Sequence, residues 1–239
     1  MARTIVVVPT YNEAENLPLL VPEVLASADG IEVLVVDDRS PDGTGKCADD
    51  LAAQYPGRVH VLHRSGTRGL GIAYRDGLRR ALDLGADNVV QMDADFSHPP
   101  TSLPEMLREI EDHDVVIGSR YLKGITVVNW PIERILISWF ANLYARNVAG
   151  LRLSDATGGF RCIRRDLLER IGFEKIRSDG YAFQIELNHR FQHFGARTKE
   201  IPFFFLDRER GESKLNLSIA VEALWICVWL RFARLLGRI

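Results

Sequence analysis

The sequence predicts an α/β fold: a mostly parallel sheet flanked by helices, with an amphipathic helix at the C-terminal end. Three observations predict it. Five apolar runs of strand length stand in the first half, at "TIVVVP", "EVLVVD", "VHVLH", "NVVQMD" and "DVVIGS". They are rich in β-branched residues and apolar on both alternating sets, as strands covered on two faces are. Helix-like segments near 15–27, 44–54, 69–83 and 100–111 separate them, and this strand–helix alternation builds parallel sheets.

Taken in order, each strand hands over to a polar or glycine-rich stretch. These are "PTYNEAEN", "DDRSPDGTG", "RSGTRGLG", "DADFSHPP" and "GSRYLKG". The carboxyl ends of parallel strands share one edge, where ligands bind, so the five loops predict a site there. From residue 125 the alternation stops. "WPIERILISWFANLYARNVAG" reads as a long helix starting at Pro131, followed by "DATGGFRCIRR", a helix near 181–194 and an apolar strand in "RTKEIPFFFL". "DRERGESKLNLS" then leads into a terminal helix, so a main domain is expected over 1–214 and a helical segment over 215–239.

Bulk properties narrow the partners. A net charge of −2 excludes a globally basic nucleic-acid binder while leaving room for a local basic site. Cys47, Cys162 and Cys227 are widely spaced and odd in number. They read as reduced thiols of a cytosolic chain, without a disulfide framework or a zinc site. The N-terminus enters a strand at once, so no signal peptide is expected. "AVEALWICVWLRFARLL" is cut by Glu222 and Arg231, short of the roughly 18 uncharged apolar residues that span a bilayer.

The chemistry concentrates at strand ends. Asp93 and Asp95 follow the fourth strand, where alternate residues point the same way. Two hard carboxylates with open positions suit Mg²⁺ or Mn²⁺ bridging phosphate oxygens. Ser97 in "DFSHPP" reads as a helix N-cap. The second D-x-D, Asp112 and Asp114, precedes its strand and reads as a solvated turn. Asp37 and Asp38 end the second strand, where a carboxylate can accept from a ribose or a base N–H; a turn capped by Asp42 explains the same residues. "TRGLG" opens a helix and reads either as an anion cradle or as a plain turn. Arg120, Arg134 with Ser138 one helical turn on, and Arg208 with Lys214 are phosphate recognisers if they meet a cleft. His189 and His193 have metal spacing but lack a third ligand, and read as a surface pair. Cys162 reads as core.

Six ordered stretches, "VVVPTYNEAENL", "VVDDRSPDGTG", "MDADFSHPP", "GSRY", "TGGFRCIRR" and "DRERGESKL", resemble the dolichol- and polyprenol-phosphate mannose synthases. These are inverting glycosyltransferases of GT-A fold. The resemblance spans residues 5 to about 217, and "VVNWPIERILISWFANLYAR" is similar to the bacterial polyprenol-phosphate members. It implies GDP-mannose as donor, a polyprenol monophosphate as acceptor and Mg²⁺ or Mn²⁺ as cofactor. It further implies that Pro9, Tyr11, Glu13, Val36 and Asp38 line the guanosine pocket. Asp93, Ala94 and Asp95 would meet ribose, metal and pyrophosphate, with Ser97 where several relatives carry a metal-binding Gln. Arg120, Arg134 and Ser138 would receive the lipid phosphate, and Arg208 and Lys214 would close over the donor. Asp95 and Arg120 would carry catalysis from the two sides.

Two absences agree with the resemblance. There is no Q-x-x-R-W after residue 175 and no Glu-Asp pair supplying a general base. A phosphate monoester is already anionic near neutral pH and attacks without one. The alternatives are a UDP-glucose-dependent polyprenol-phosphate glucosyltransferase and a silent nucleotide-sugar-binding subunit. The lipid acceptor implies peripheral attachment to a membrane surface. The terminal helix, with Trp225, Trp229 and Phe232 beside Arg231, Arg234 and Arg238, is the expected anchor, or else packs on the protein or on a partner subunit.

Overall fold

Strand β1 (Thr4–Thr10) is buried along its whole length, as befits a strand in the interior of the sheet. The structure is a computed structural model that describes residues 2–176, 178–206 and 217–235. Ile5 and Val7 of β1 join one core, while Val6 and Val8 join another on the opposite face. Period-two alternation of apolar side chains therefore nucleates two layers from one strand.

The elements follow the predicted order. They are α1 (Leu17–Ser27), β2 (Ile31–Asp37), α2 (Thr44–Gln54), β3 (Val59–His63), α3 (Leu70–Asp83), β4 (Asn88–Gln91), α4 (Leu103–Glu109) and β5 (Val115–Ser119). Helices α1, α2 and α4 cover one face through Leu20, Val24, Leu51 and Met106. On the other face α3 presses close: a Cβ on Gly77 would meet Val36 Cγ2 at 3.0 Å. Only glycine admits that approach.

The second half completes the sheet in a way the sequence did not announce. Next come β6 (Val127–Val128), α5 (Ile132–Ala149), β7 (Arg161–Arg164), α6 (Arg165–Ile171), α7 (Gly180–His193), β8 (Thr198–Pro202), β9 (Phe205–Leu206) and α8 (Leu217–Leu235). The sheet order is β3-β2-β1-β4-β7-β5-β8, with β7 antiparallel to both neighbours and the remaining pairs parallel. "RCIRR" is short and arginine-rich and carries no strand pattern, yet it forms β7 with Arg161 fully buried. The reversal matters for the site. An antiparallel strand begins at the edge where its parallel neighbours end, and Arg161 pairs with Gln91 at the tip of β4. The loop before β7 thus reaches the ligand edge.

The apolar run "RTKEIPFFFL" is two strands, not one. After β8 the chain turns at Phe203 and Phe204, and β9 pairs with β6 in a small separate sheet. Helix α5 starts after Pro131, as expected, and ends at Gly150 with φ of 70°. Helix α8 packs Cys227 and Leu230 against Ala145, Ala149 and Ile185 of α5 and α7. Its Leu224, Trp225, Trp229 and Phe232 are exposed, as are Ile132, Leu136, Ile137 and Phe140 of α5. Among the described residues no helix is long and apolar enough to cross a membrane.

Candidate active site

At the carboxyl edge of the sheet lies a cleft of about 540 Å³. The end of β1 and the loop after it contribute Pro9, Tyr11 and Glu13, the turn after β2 contributes Asp38, and the turn after β4 contributes Asp93, Ala94 and Asp95. Arg68 and Gly69 enter ahead of α3, Thr157 and Gly159 ahead of β7, Arg134 from α5 and Gln184 from α7. Asp179 and Glu222 close one wall. Eight of the predicted site residues thus converge: Pro9, Tyr11, Glu13, Asp38, Asp93, Ala94, Asp95 and Arg134. Val36, Ser97, Arg120 and Ser138 are not among the lining residues. Arg208 and Lys214 lie outside the described residues.

The β4 tip is built to hold Asp93. Tyr74 Oη of α3 donates to Asp93 Oδ1 at 2.7 Å, and the Asp93 N–H donates to His98 Nδ1 at 3.0 Å. His98 Nε2 stands 3.9 Å from Asp93 Oδ2. The imidazole is buried, stacked on Phe160 with ring centroids 4.8 Å apart. Burial holds its pKa below the ordinary histidine value, against the pull of Asp93 and Asp95. Burial, reinforced by the neighbouring Asp93 charge, also pushes the Tyr74 phenol well up. Asp93 is therefore held at both ends, its carboxylate by the Tyr74 hydroxyl and its backbone N–H by His98. Phe96 adopts φ of 62°, turning the chain so that Ser97 N–H donates to Asp95 Oδ1 at 3.1 Å.

That turn corrects the reading of Ser97. It does not cap a helix: the following helical turn starts at Pro100 with Pro99 in the cap position and no side-chain cap. Its hydroxyl is buried without a hydrogen-bond partner, off the cleft surface. Asp93 and Asp95 bring their carboxylates to the cleft from one strand end, and among the described residues no three acidic, histidine or cysteine side chains form a ready cage. Two carboxylates with the remaining positions open fit Mg²⁺ or Mn²⁺, which complete their shells with substrate phosphate and water.

The glycine-rich "TRGLG" proves to be neither an open anion cradle nor an idle turn. Gly69 N–H donates to Asp38 Oδ2 at 2.9 Å, and Gly71 N–H donates to Asp179 Oδ1. The chain supplies the anions itself, one from the residue after β2 and one from the N-cap of α7, where Asp179 also accepts from Gly180 at 2.8 Å. A Cβ on Gly69 would collide with the Asp179 carboxylate, which explains the glycine. Asp38 is further paired with the buried Arg64, so it anchors the loop while its edge faces the cleft. Asp42 caps its turn as expected, accepting from Thr44 N–H at 3.0 Å.

Arginines that the sequence assigned to phosphate have other partners. Arg120 is buried and forks onto Asp155, Nε to Oδ2 at 2.7 Å and Nη2 to Oδ1 at 2.8 Å. Burial raises the Asp155 pKa, but the Arg120 charge and hydrogen bonds outweigh it and hold the carboxyl below its ordinary value. The pair locks the end of β5 to the loop before β7, a structural task for the residue expected to meet the nucleophile. Arg134 remains in the cleft, stacked over Trp130 at 4.1 Å. Ser138 shares a 2.7 Å hydrogen bond with Tyr121. Val36 lies in the core under α3.

Three smaller readings also change or hold. Asp114 is not solvated: it accepts from Arg197 N–H and Nη2, both at 2.8 Å. His189 is buried and His193 exposed, so they are no surface pair. Cys162 is core, its thiol pushed by burial up to about 12. Tyr74, His98, Arg64, Asp155, Asp179, Gln184 and Glu222 escaped the sequence reading. A signal existed only for His98, which follows the aspartate pair by three residues.

Among the cleft-lining residues six carboxylates (Glu13, Asp38, Asp93, Asp95, Asp179, Glu222) face two guanidiniums (Arg68, Arg134). Such a site favours cations, and an anionic ligand enters it most readily with one. The acidic cleft thus lies across the strand ends of a mostly parallel α/β sheet. The profile of Glycosyl transferase family 2 matches residues 5–172, and the chain belongs to that family. Over 221 residues it is 47% identical to the undecaprenyl-phosphate mannosyltransferase of Micrococcus luteus, covering 92% of this chain and 90% of that protein. Over 224 residues it is 46% identical to the polyprenol monophosphomannose synthase of Mycolicibacterium smegmatis, covering 93% and 84%. Glucosyl-3-phosphoglycerate synthase of Mycobacterium tuberculosis, solved with Mn²⁺, UDP and glucosyl-3-phosphoglycerate, shares the fold. Its TM-score is 0.63 at 18% identity, over 99% of this chain and 80% of that one.

Proposed function

We propose that this glycosyltransferase moves mannose from GDP-mannose to a polyprenol monophosphate, giving polyprenyl phosphate β-mannose and GDP with inversion. The observation that carries the reading is the Asp93–Asp95 pair at the end of β4, inside the cleft, in a chain so similar to proteins named as an undecaprenyl-phosphate mannosyltransferase and a polyprenol monophosphomannose synthase. A bound Mg²⁺ or Mn²⁺ would be held by Asp93 and Asp95 and would neutralise charge on the departing diphosphate.

The chain's own residues supply the rest. Pro9, Tyr11 and Glu13 line the cleft and would wall the nucleoside, with Asp38, fixed by Arg64 and the Gly69 N–H, beside them. Arg134 faces the acceptor phosphate. Two unit charges 4 Å apart interact by roughly 4 kcal/mol at an effective dielectric near 20. An anionic nucleophile meeting an anionic leaving group needs such compensation. Asp179 and Glu222 accept backbone N–H groups, and the acceptor phosphate, already anionic, needs no base. Catalysis is positioning plus charge compensation.

The acceptor's lipid tail requires contact with a bilayer. The exposed aromatic and aliphatic residues of α5 and α8, both of which also wall the cleft, suit peripheral attachment at the interface. The test is turnover of radiolabelled sugar nucleotides with a polyprenol monophosphate in mixed micelles. Label from GDP-mannose passing into an organic-extractable, acid-labile lipid is expected. Transfer from UDP-glucose alone would make the protein a glucosyltransferase, and transfer from neither would make it a silent binding module.

A further inference from the structure

Tyr74 poses a problem that core packing does not solve. It lies within a helix, its side chain fully buried among Val, Leu and Phe, and stacks on Phe183 with centroids 6.1 Å apart. Phenylalanine would fill that volume without the cost of burying a hydroxyl. The hydroxyl's partner is Asp93 Oδ1 at 2.7 Å. His98 poses the same problem from the other side. Its ring is wedged against Phe160, with Phe203 and Phe205 on edge at 5.9 and 6.2 Å. Its Nδ1 accepts the Asp93 N–H, which leaves the proton on Nε2, the nitrogen that faces Asp93 Oδ2 at 3.9 Å. Two aromatic residues from separate segments, both locked by packing, converge on one carboxylate that is itself 31% exposed.

We propose that Tyr74 and His98 are positioning residues which clamp Asp93 and hold its free edge toward the cation in the cleft. The inference rests on the reading of Asp93 as a cation ligand. A carboxylate at a strand tip otherwise turns freely about two side-chain torsions. Fixing it in advance removes that entropy from the binding step and points its lone pairs before the ion arrives. Tyr74 sets the torsion through Oδ1. His98 pins the backbone beneath it.

The test uses Mn²⁺ alone as the probe, with the free ion followed by electron paramagnetic resonance on the full chain. Tyr74→Phe removes one oxygen atom and keeps the ring packing. It should weaken Mn²⁺ binding about tenfold, the size of effect that outer residues of metal sites show. In an Asp93→Asn background the same change should cost less than twofold, since a residue acting through Asp93 loses its effect with it. His98→Gln, whose amide can still accept the Asp93 N–H, should weaken binding less than His98→Leu. A Tyr74→Phe affinity within twofold of the parent overturns the proposal, as does an equal loss in both backgrounds. If the parent chain binds Mn²⁺ through Asp93 and Tyr74→Phe changes nothing, only the clamp is wrong. If Asp93→Asn leaves Mn²⁺ binding intact, the cation reading falls and the clamp with it.

Discussion

Asp95 and Asp112 belong to the same three-residue pattern and sit in unrelated surroundings. Asp95 is buried at the edge of the cleft, in a turn held by Ser97 N–H, whereas Asp112 is exposed in the turn ahead of β5. Asp95→Ala should abolish transfer, by a factor of at least 10² in kcat/KM, and leave the chain folded. Asp112→Ala should change it less than twofold. Equal losses, measured with the same lipid-extraction assay, would remove the aspartate pair from the mechanism. At this scale the sequence was legible where a residue type has one use. Two carboxylates after an apolar strand could be placed. Arg120 could not, because a guanidinium serves a phosphate and a carboxylate equally well, and the partner that decided it, Asp155, stands 35 residues away. Tyr74 was invisible for the opposite reason: on an amphipathic helix a tyrosine reads as ordinary core.

At the scale of elements, helix α8 presents two faces with different duties. Glu222, on its inner side, accepts the Asp179 N–H at 3.1 Å and reaches the cleft wall. Trp225, Trp229 and Phe232 face outward. Replacing these three with alanine should cut co-sedimentation with anionic vesicles several-fold while sparing turnover of a short, water-soluble prenyl phosphate. If vesicle binding persists undiminished, the exposed face of α5 becomes the place to look. Arg231 is exposed beside them, whereas the side chain of Arg234 and all of Arg238 lie outside the described residues. The five parallel-type strands and four helices of the first half were legible from apolar runs alone, since period and length agree there. Strand β7 was not. Four residues with a buried arginine carry no strand signal, and the direction of a strand leaves no trace in its composition. The break between β8 and β9 was hidden for a similar reason: Phe203 and Phe204 extend an apolar run through a corner.

For the molecule as a whole, ion pairs stitch distant parts of the sheet. Asp155 with Arg120 joins the β5 end to the loop before β7, Asp114 with Arg197 joins the starts of β5 and β8, and Glu32 with Arg3 joins β2 to the chain before β1. Burial raises the Asp155 and Glu32 pKa values, yet their arginine partners win and hold both below the ordinary carboxyl values of 3.8 and 4.5. Hydrogen bonds from Arg197 depress Asp114 likewise. A carboxyl whose pKa is depressed on folding adds stability above its unfolded value, and that stability is lost as pH falls through the folded value. Unfolding followed by circular dichroism should therefore show stability declining from about pH 4.5 downward. Arg120→Met, which leaves Asp155 buried without its cationic partner and with only hydrogen bonds such as those from the Thr157 and Gly158 N–H groups, should shift that decline to higher pH; an unchanged acid limb would mean that the pair contributes nothing. The helices that wall the cleft have a further consequence. Arg134 comes from α5 and Glu222 from α8, the same two helices whose apolar faces lie open. With both resting on a bilayer, as proposed, the protein would meet its acceptor in two dimensions, so turnover would follow acceptor per unit area, and every inert lipid added to the film would act as a diluent.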